Sequence, residues 1–223
     1  MNIYQRIMPG HSGMGINFHF AQSIPPRLRR NIRTEILRAA GKIPPGTFPM
    51  REIDVWAAHW YEPIEHDISG HAYYHNTVTL KLNPKVSFAQ IEKSIPYVFY
   101  HELHHLARIG TAGFGQTLED CVVTEGLAET FCAQMGGRVL AFKNKEDLDT
   151  VKNIFYKERK EKDRYWTWFP GRDSRLPRFA GYILGYLIVS TYCAATHKKP
   201  SQLYTVPTDY IIEHQAVRKF LAQ

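Results

Sequence analysis

The chain has 223 residues, a formal net charge of +7 at pH 7 and only three cysteines. This length is enough for one large domain with a buried core. The widely spaced cysteines, Cys121, Cys132 and Cys193, exclude a disulfide framework of the kind found in small secreted proteins. The first residues lack the apolar core of a signal peptide, and the most apolar stretch, residues 180–195, is too short to span a bilayer. We therefore expect a cytoplasmic protein that does not enter a membrane.

The first hundred residues are predicted to contain one helix and two strands. Residues 1–24 show no clear hydrophobic period. A helix is predicted over residues 25–40, because two prolines open it and Gly41 closes it. Strands are predicted at residues 53–57 and 77–82, where apolar and polar residues alternate in the second of the two.

The rest of the chain is predicted to be mainly helical. A helical region begins at Phe88, and Ser94 with Pro96 is predicted to cap a separate helix that ends at Gly110. Further helices are predicted over residues 118–135, 146–160 and 178–196. The fold class is therefore α+β, with a small mixed N-terminal sheet packed on a mainly helical C-terminal half. We expect an N-terminal segment and helix over residues 1–45, followed by one domain over residues 46–223.

Residues 101–105 carry the most informative motif and read His-Glu-Leu-His-His. On a helix, His101 and His105 lie four residues apart, so both imidazoles leave the same face about one turn from each other. At this spacing two neutral imidazoles can bind one Zn²⁺, with Glu102 beside them to accept the proton of a metal-bound water. The motif therefore predicts a zinc site.

A catalytic zinc site needs a third protein ligand and an open fourth position. The pattern H-E-x-x-H-x-x-G-x-x-H cannot supply that ligand, because Arg108 and Thr111 occupy its glycine and third histidine positions. The other known solution is a glutamate on a following helix, and Glu125 is the candidate. Glu129 follows one turn later, where it can accept the free ring N–H of a metal-bound histidine.

His104 lies between the two proposed histidine ligands but points away from their shared face. We interpret it as a packing or hydrogen-bonding residue. A pairing of His104 with His101 stays open as an alternative.

These residues resemble the gluzincin, or thermolysin-like, group of zinc peptidases, which pairs H-E-x-x-H with a glutamate on a second helix and an acidic residue four positions later. Within that group the chain is similar to the bacterial predicted zinc-dependent proteases of domain-of-unknown-function family 2268. The resemblance covers residues 50–195 and rests on residues 101–105, on Glu-Gly-Leu-Ala-Glu at 125–129 and on Arg-x-x-Gly-Tyr-x-x-Gly-Tyr at 178–186. Glu129 departs from the pattern, since aspartate is common at its position.

The resemblance implies a zincin-like peptidase with one zinc ion per chain, held by His101, His105 and Glu125. Glu102 would take a proton from water and pass it to the leaving amine. A peptide or protein substrate would lie along an edge strand near residues 70–73. We favour Tyr182, with Tyr186 as the alternative, as the hydroxyl that donates a hydrogen bond to the oxyanion.

The positive charge allows other functions. Five arginines crowd the first predicted helix: Arg27, Arg29, Arg30, Arg33 and Arg38. No helix-turn-helix, C-x-x-C finger or aromatic RNA-binding signature accompanies them, so a solvated basic face is favoured over a nucleic-acid surface. Two alternatives remain: a DNA- or partner-binding regulator with a metallopeptidase-like domain, and a structural zinc site whose fourth position is closed by His104, Cys121 or another side chain. The sequence predicts no oligomeric state.

Overall fold

The computed structural model describes residues 13–61, 67–74, 76–137, 141–170 and 174–223. Residues 1–12, which belong to the predicted N-terminal segment, lie outside the described residues. The chain divides into two compact units, Met1–Gly110 and Thr111–Gln223. The division predicted between residues 45 and 46 stays a prediction.

A four-stranded mixed sheet forms the centre of the first unit. Its strands are β1 (Gly15–Phe20), β2 (Glu52–His59), β3 (Ile68–Tyr73) and β4 (Thr77–Leu82), in the order β1-β2-β4-β3. β1 pairs with β2, and β2 with β4, in the parallel direction, whereas β3 pairs with β4 in the antiparallel direction and forms an edge of the described sheet. The predicted strands correspond to β2 and β4, and the predicted edge strand corresponds to β3.

One face of this sheet is apolar because side chains alternate along each strand. In β4, Val78, Leu80 and Leu82 are buried, while the intervening residues lie on the opposite face. Helix α1 (Pro26–Ala40) and helix α2 (Phe88–Ile109) pack against each other, and α2 packs against β3 and β4. The sheet therefore holds α2, the helix that carries residues 101–105, beside an edge strand.

The predicted helix start at Ser94 is wrong. α2 begins after Ser87, whose hydroxyl accepts a hydrogen bond from the backbone N–H of Gln90 in a capping box. Pro96 lies inside this helix, where its missing N–H removes one helical hydrogen bond without ending the helix. Burial of Ile91, Ile95 and Phe99, all fully covered, stabilises the helix across the proline.

The second unit is helical throughout its named elements. They are α3 (Leu118–Gln134), α4 (Lys145–Glu158), α5 (Tyr165–Trp168), α6 (Ala180–Thr196), α7 (Thr208–Ile212) and α8 (Gln215–Ala222), with a short 3₁₀ turn at Pro200–Gln202. α3 is buried around most of its circumference, as expected for a helix at the centre of a bundle. The predicted helices correspond to α3, α4 and α6.

Helices α3 and α6 cross at two glycines. A β-carbon on Gly126 would lie 2.3 Å from the carbonyl carbon of Gly185, and one on Gly185 would lie 2.2 Å from the carbonyl oxygen of Val122. The two backbones are therefore in direct contact, which only glycine permits. This crossing fixes α6 beside the stretch of α3 that contains Glu125.

The fold class is confirmed as α+β. A mixed sheet lies in the N-terminal part of the chain, and helices dominate the C-terminal part. Among the described helices, none combines the length and apolar character needed to cross a bilayer.

Candidate metal centre

His101 and His105 converge at one point in the first unit. Their Nε2 atoms lie 2.9 Å apart, with the ring planes inclined by 83°. The spacing of four residues on α2 produces this convergence, because it brings the two side chains together about one turn apart. His105 is buried and His101 is half-buried. Two imidazole nitrogens that face the same point form an arrangement that a single cation can occupy.

Glu102 lies against the edge strand β3. Its side chain is buried, and a β-carbon built on Gly70 would lie 2.6 Å from its Oε1 atom and 2.5 Å from its Cγ atom. The carboxylate therefore occupies space that any other residue at position 70 would fill. The missing side chain of Gly70 gives Glu102 its place between helix and strand.

His104 is fully buried and packs its ring edge-on against Phe48, with ring centroids 6.1 Å apart. This contact lies within the first unit. It agrees with the interpretation of His104 as a packing residue.

Glu125 lies in the second unit, in the buried middle of α3. The hydroxyl of Tyr165 donates a hydrogen bond of 3.4 Å to its Oε1 atom. The same hydroxyl lies 3.2 Å from the hydroxyl of Tyr182. A carboxylate and two phenol groups thus form a connected set.

Tyr182 is protonated at neutral pH in this environment. Burial raises its pKa well above the usual value, and the negative charge of Glu125 and the nearby Tyr165 raise it further. A phenol with a raised pKa keeps its proton and remains able to donate a hydrogen bond. The predicted role of Tyr182 as a donor needs this protonation state.

Gly181 and Arg178 accompany Tyr182 in the sequence, and the structure gives both a packing contact. A β-carbon on Gly181 would lie 2.6 Å from the ring of Phe169, so Gly181 makes room for that ring. The guanidinium of Arg178 lies over the ring of Phe179, 4.7 Å from its centroid.

The three buried carboxylates of α3 differ in their surroundings. Glu119 forms ion pairs with Lys160 and, at 3.6 Å, with Arg159, so its charge is offset. Glu125 has phenol hydroxyls as neighbours, and Glu129 is buried one turn further along. The ion pairs of Glu119 give it a structural role, whereas Glu125 and Glu129 are the pair predicted to serve a metal.

The contact of Tyr165 with Glu125 was not predicted. The aromatic stretch at residues 165–170 is typical of a segment that lines a cleft or fills the edge of a core. Trp168 and Phe169 are indeed buried in the core of the second unit, and Trp166 is exposed. No spacing rule links Tyr165 to Glu125, since 40 positions separate them.

The comparisons with known proteins bear on this arrangement. A family model described as a predicted Zn-dependent protease (domain of unknown function 2268) matches residues 55–213. This match spans more than half of the chain and contains His101, Glu102, His105, Glu125 and Tyr182. The chain belongs to this family. A comparison with curated proteins finds no match.

The match to this family model confirms the family that was inferred from residues 101–105 and 125–129. It supports a zinc-dependent protease at the level of the family description. The assignment to the gluzincin group and the individual ligand and catalytic residues stay predictions.

Proposed function

We propose that this protein is a zinc-dependent peptidase that hydrolyses peptide bonds of a peptide or protein substrate. His101, His105 and Glu125 would hold one Zn²⁺, Glu102 would act as general base and acid, and Tyr182 would stabilise the oxyanion. The observation that carries the proposal is the convergence of the two histidine Nε2 atoms, 2.9 Å apart, beside the buried carboxylate of Glu102.

The donor set fits zinc. Each of His101, His105 and Glu125 offers one ligand atom of a kind that zinc accepts. The imidazole nitrogens of His101 and His105 face the same point, which suits a shared ion. Two histidines and one glutamate are the protein ligands of one known class of catalytic zinc site, which keeps its fourth position open for water.

Bound zinc would supply Lewis acidity and lower the pKa of a water molecule toward neutrality. Glu102 is suited to receive the proton of that water, because its carboxylate is held by helix α2 on one side and by the backbone at Gly70 on the other. The same carboxyl group would then donate the proton to the amine that leaves. Its burial reduces competition from bulk water for these transfers.

Tyr182 would donate a hydrogen bond to the oxygen of the carbonyl under attack. Its raised pKa keeps the donor proton in place. A donor of this kind contributes about 2.7–4 kcal/mol to catalysis. Tyr186, one turn along α6, is the alternative donor.

The structural-zinc alternative needs a fourth protein ligand. His104, a candidate for that ligand, packs against Phe48 within the first unit. This contact favours a site with an open fourth position.

The regulatory alternative depends on the basic face of α1. Several of its arginines make contacts within the first unit. Arg29 donates a hydrogen bond to the carbonyl of Ile24 at 2.7 Å, and Arg38 forms an ion pair with Glu35 at 2.9 Å. The guanidinium groups of Arg27 and Arg33 lie over the rings of Phe88 and Phe18, respectively. These contacts give the arginines a role in packing the first unit, so their presence does not require a phosphate-binding function. We therefore propose a peptide or protein, and not a nucleic acid, as the partner. The proposed location is the cytoplasm.

The Glu102→Gln variant tests the peptidase mechanism. Glutamine keeps the shape of the side chain but cannot accept the proton, so hydrolysis of a peptide library should fall by about 10²–10⁴. Zinc content and melting temperature should stay at the wild-type values, because Glu102 does not bind the ion in this mechanism. Glu92→Gln, at an exposed position of the same helix, is the matched control. Cleavage by Glu102→Gln at the wild-type rate would exclude the mechanism.

A further inference from the structure

We infer that Tyr165 is a positioning residue that holds the carboxylate of Glu125 in its metal-binding orientation, and that Tyr182 acts on that carboxylate through Tyr165. The inference rests on the proposed role of Glu125 as a zinc ligand. It adds a residue that neither the motifs nor the family description identifies.

The first observation is the hydrogen-bond geometry. The Tyr165 hydroxyl has one proton, and it donates this proton to Oε1 of Glu125 at 3.4 Å. While no substrate is bound, the hydroxyl of Tyr182, 3.2 Å away, can then donate to the oxygen of Tyr165. This order gives a chain that runs from Tyr182 to Tyr165 and ends on Glu125. A chain of this kind polarises each member and strengthens the last bond.

The second observation is the rigid support of Tyr165. Its ring stacks on the buried ring of Phe169, with centroids 4.6 Å apart and planes inclined by 18°. Phe169 also meets the ring of Tyr182 edge-on at 4.9 Å and fills the space above Gly181. One phenylalanine thus fixes both phenol rings relative to each other.

The third observation is the anchoring of α5 itself. Trp168 is fully buried, and its indole N–H donates to Oε2 of Glu158 at 3.1 Å. Glu158 also pairs with Arg164 at 2.8 Å and with Arg175 at 3.1 Å. The short helix that carries Tyr165 is therefore attached to the end of α4. A hydroxyl held in this way loses little entropy when it orients Glu125.

This arrangement has a chemical consequence. Carboxylate ligands of metals are commonly hydrogen-bonded by neighbouring groups, and loss of such a partner typically costs about 10–100-fold in metal affinity or activity. Tyr165 donates its hydrogen bond to one oxygen of the Glu125 carboxylate. Removal of the Tyr165 hydroxyl should therefore weaken zinc binding. Removal of the Tyr182 hydroxyl should weaken it less.

The test measures zinc affinity by competition with a chelator of known affinity. Tyr165→Phe should bind zinc about 10–100-fold more weakly than wild type, with the melting temperature of the metal-free form unchanged. Tyr156→Phe is the matched control, since Tyr156 is 75% exposed on α4 and should bind zinc like wild type. Tyr165→Phe/Tyr182→Phe should bind zinc no more weakly than Tyr165→Phe alone, because Tyr182 acts through Tyr165.

A second measurement reports on the ligand geometry directly. In Co²⁺-substituted protein, Tyr165→Phe should shift the visible absorption bands, which respond to the position of the Glu125 carboxylate, whereas Tyr156→Phe should leave them unchanged. Wild-type zinc affinity and an unaltered cobalt spectrum in Tyr165→Phe would overturn the inference while leaving the proposed function intact. A wild-type chain that fails to bind zinc would overturn both.

Discussion

The side chain of Glu102 on helix α2 occupies the space that a side chain on Gly70 of the edge strand would fill. A methyl group at position 70 would lie 2.6 Å from Oε1 of Glu102 and 2.7 Å from Cγ1 of Val98. Both distances are far below van der Waals contact. The strand and the helix can therefore keep their present separation only when residue 70 has no side chain.

This relationship predicts that Gly70→Ala impairs catalysis and spares metal binding. The new methyl group must displace the Glu102 carboxylate or separate β3 from α2, and a displacement near 1 Å can cost about 10²-fold in rate. We expect kcat for a peptide substrate to fall at least about tenfold. Zinc content should not change, because His101 and His105 converge through the geometry of α2 alone.

Gly15→Ala provides the control. Gly15 is also a strand glycine of this sheet, but a methyl group there would meet its nearest neighbours at an ordinary 3.6 Å. Gly15→Ala should retain wild-type kcat. An unchanged kcat in Gly70→Ala would show that Glu102 does not need its observed position.

The strands and helices with clear periods could be predicted from the sequence. β4 alternates along its whole length, and α1 has a proline start and a glycine end, so both were predicted close to their observed bounds. β1 was not predicted, although Ile16 and Phe18 alternate with polar residues there, and its parallel partner β2 lies more than thirty positions away. Such pairing depends on tertiary contacts, which local patterns do not contain.

The candidate site shows the same limit. The convergence of His101 and His105 follows from helical spacing and was predicted. The contact of Gly70 with Glu102 and that of Tyr165 with Glu125 join residues 32 and 40 positions apart. The first contact depends on the position of β3 beside α2, and the second depends on how α5 packs in the second unit. Neither relation has a sequence signature.

The oxyanion donor is tested by Tyr182→Phe. Loss of this hydroxyl should lower kcat by at least about tenfold, since one donor to an oxyanion is commonly worth 10²–10³. Zinc content and melting temperature should stay close to wild type. Tyr186→Phe is the paired variant: an unaltered kcat in Tyr182→Phe with a large loss in Tyr186→Phe would move the role one turn along α6.

The N-terminus of α3 predicts a pH-dependent contribution to stability. Burial by itself would raise the pKa of Asp120. Hydrogen bonds to its carboxylate outweigh burial and lower the pKa. They come from the hydroxyl and N–H of Thr117, the hydroxyl of Thr208 and the N–H of Gln116. Since the folded-state pKa lies below the unfolded one, the stabilisation is present above about pH 4 and is lost as the pH falls through the folded-state value.

Asp120→Ala should therefore lower the free energy of unfolding by about 1 kcal/mol at pH 7, as for the loss of other helix-capping hydrogen bonds. The difference from wild type should be smaller at pH 3 than at pH 7. Urea unfolding at both pH values measures it. Glu146→Ala, at an exposed position in the first turn of α4, is the control. An equal destabilisation by Asp120→Ala at both pH values would contradict the assignment of the effect to an ionised carboxylate.

The most direct test of the central claim is the zinc content of protein purified without an affinity tag, measured by mass spectrometry after dialysis against a mild chelator. We predict one zinc ion per wild-type chain, loss of most of the metal in His105→Ala and Glu125→Ala, and its retention in His104→Ala, whose histidine contacts Phe48. Full zinc content in His105→Ala or Glu125→Ala, or a wild-type chain without zinc, would contradict this prediction.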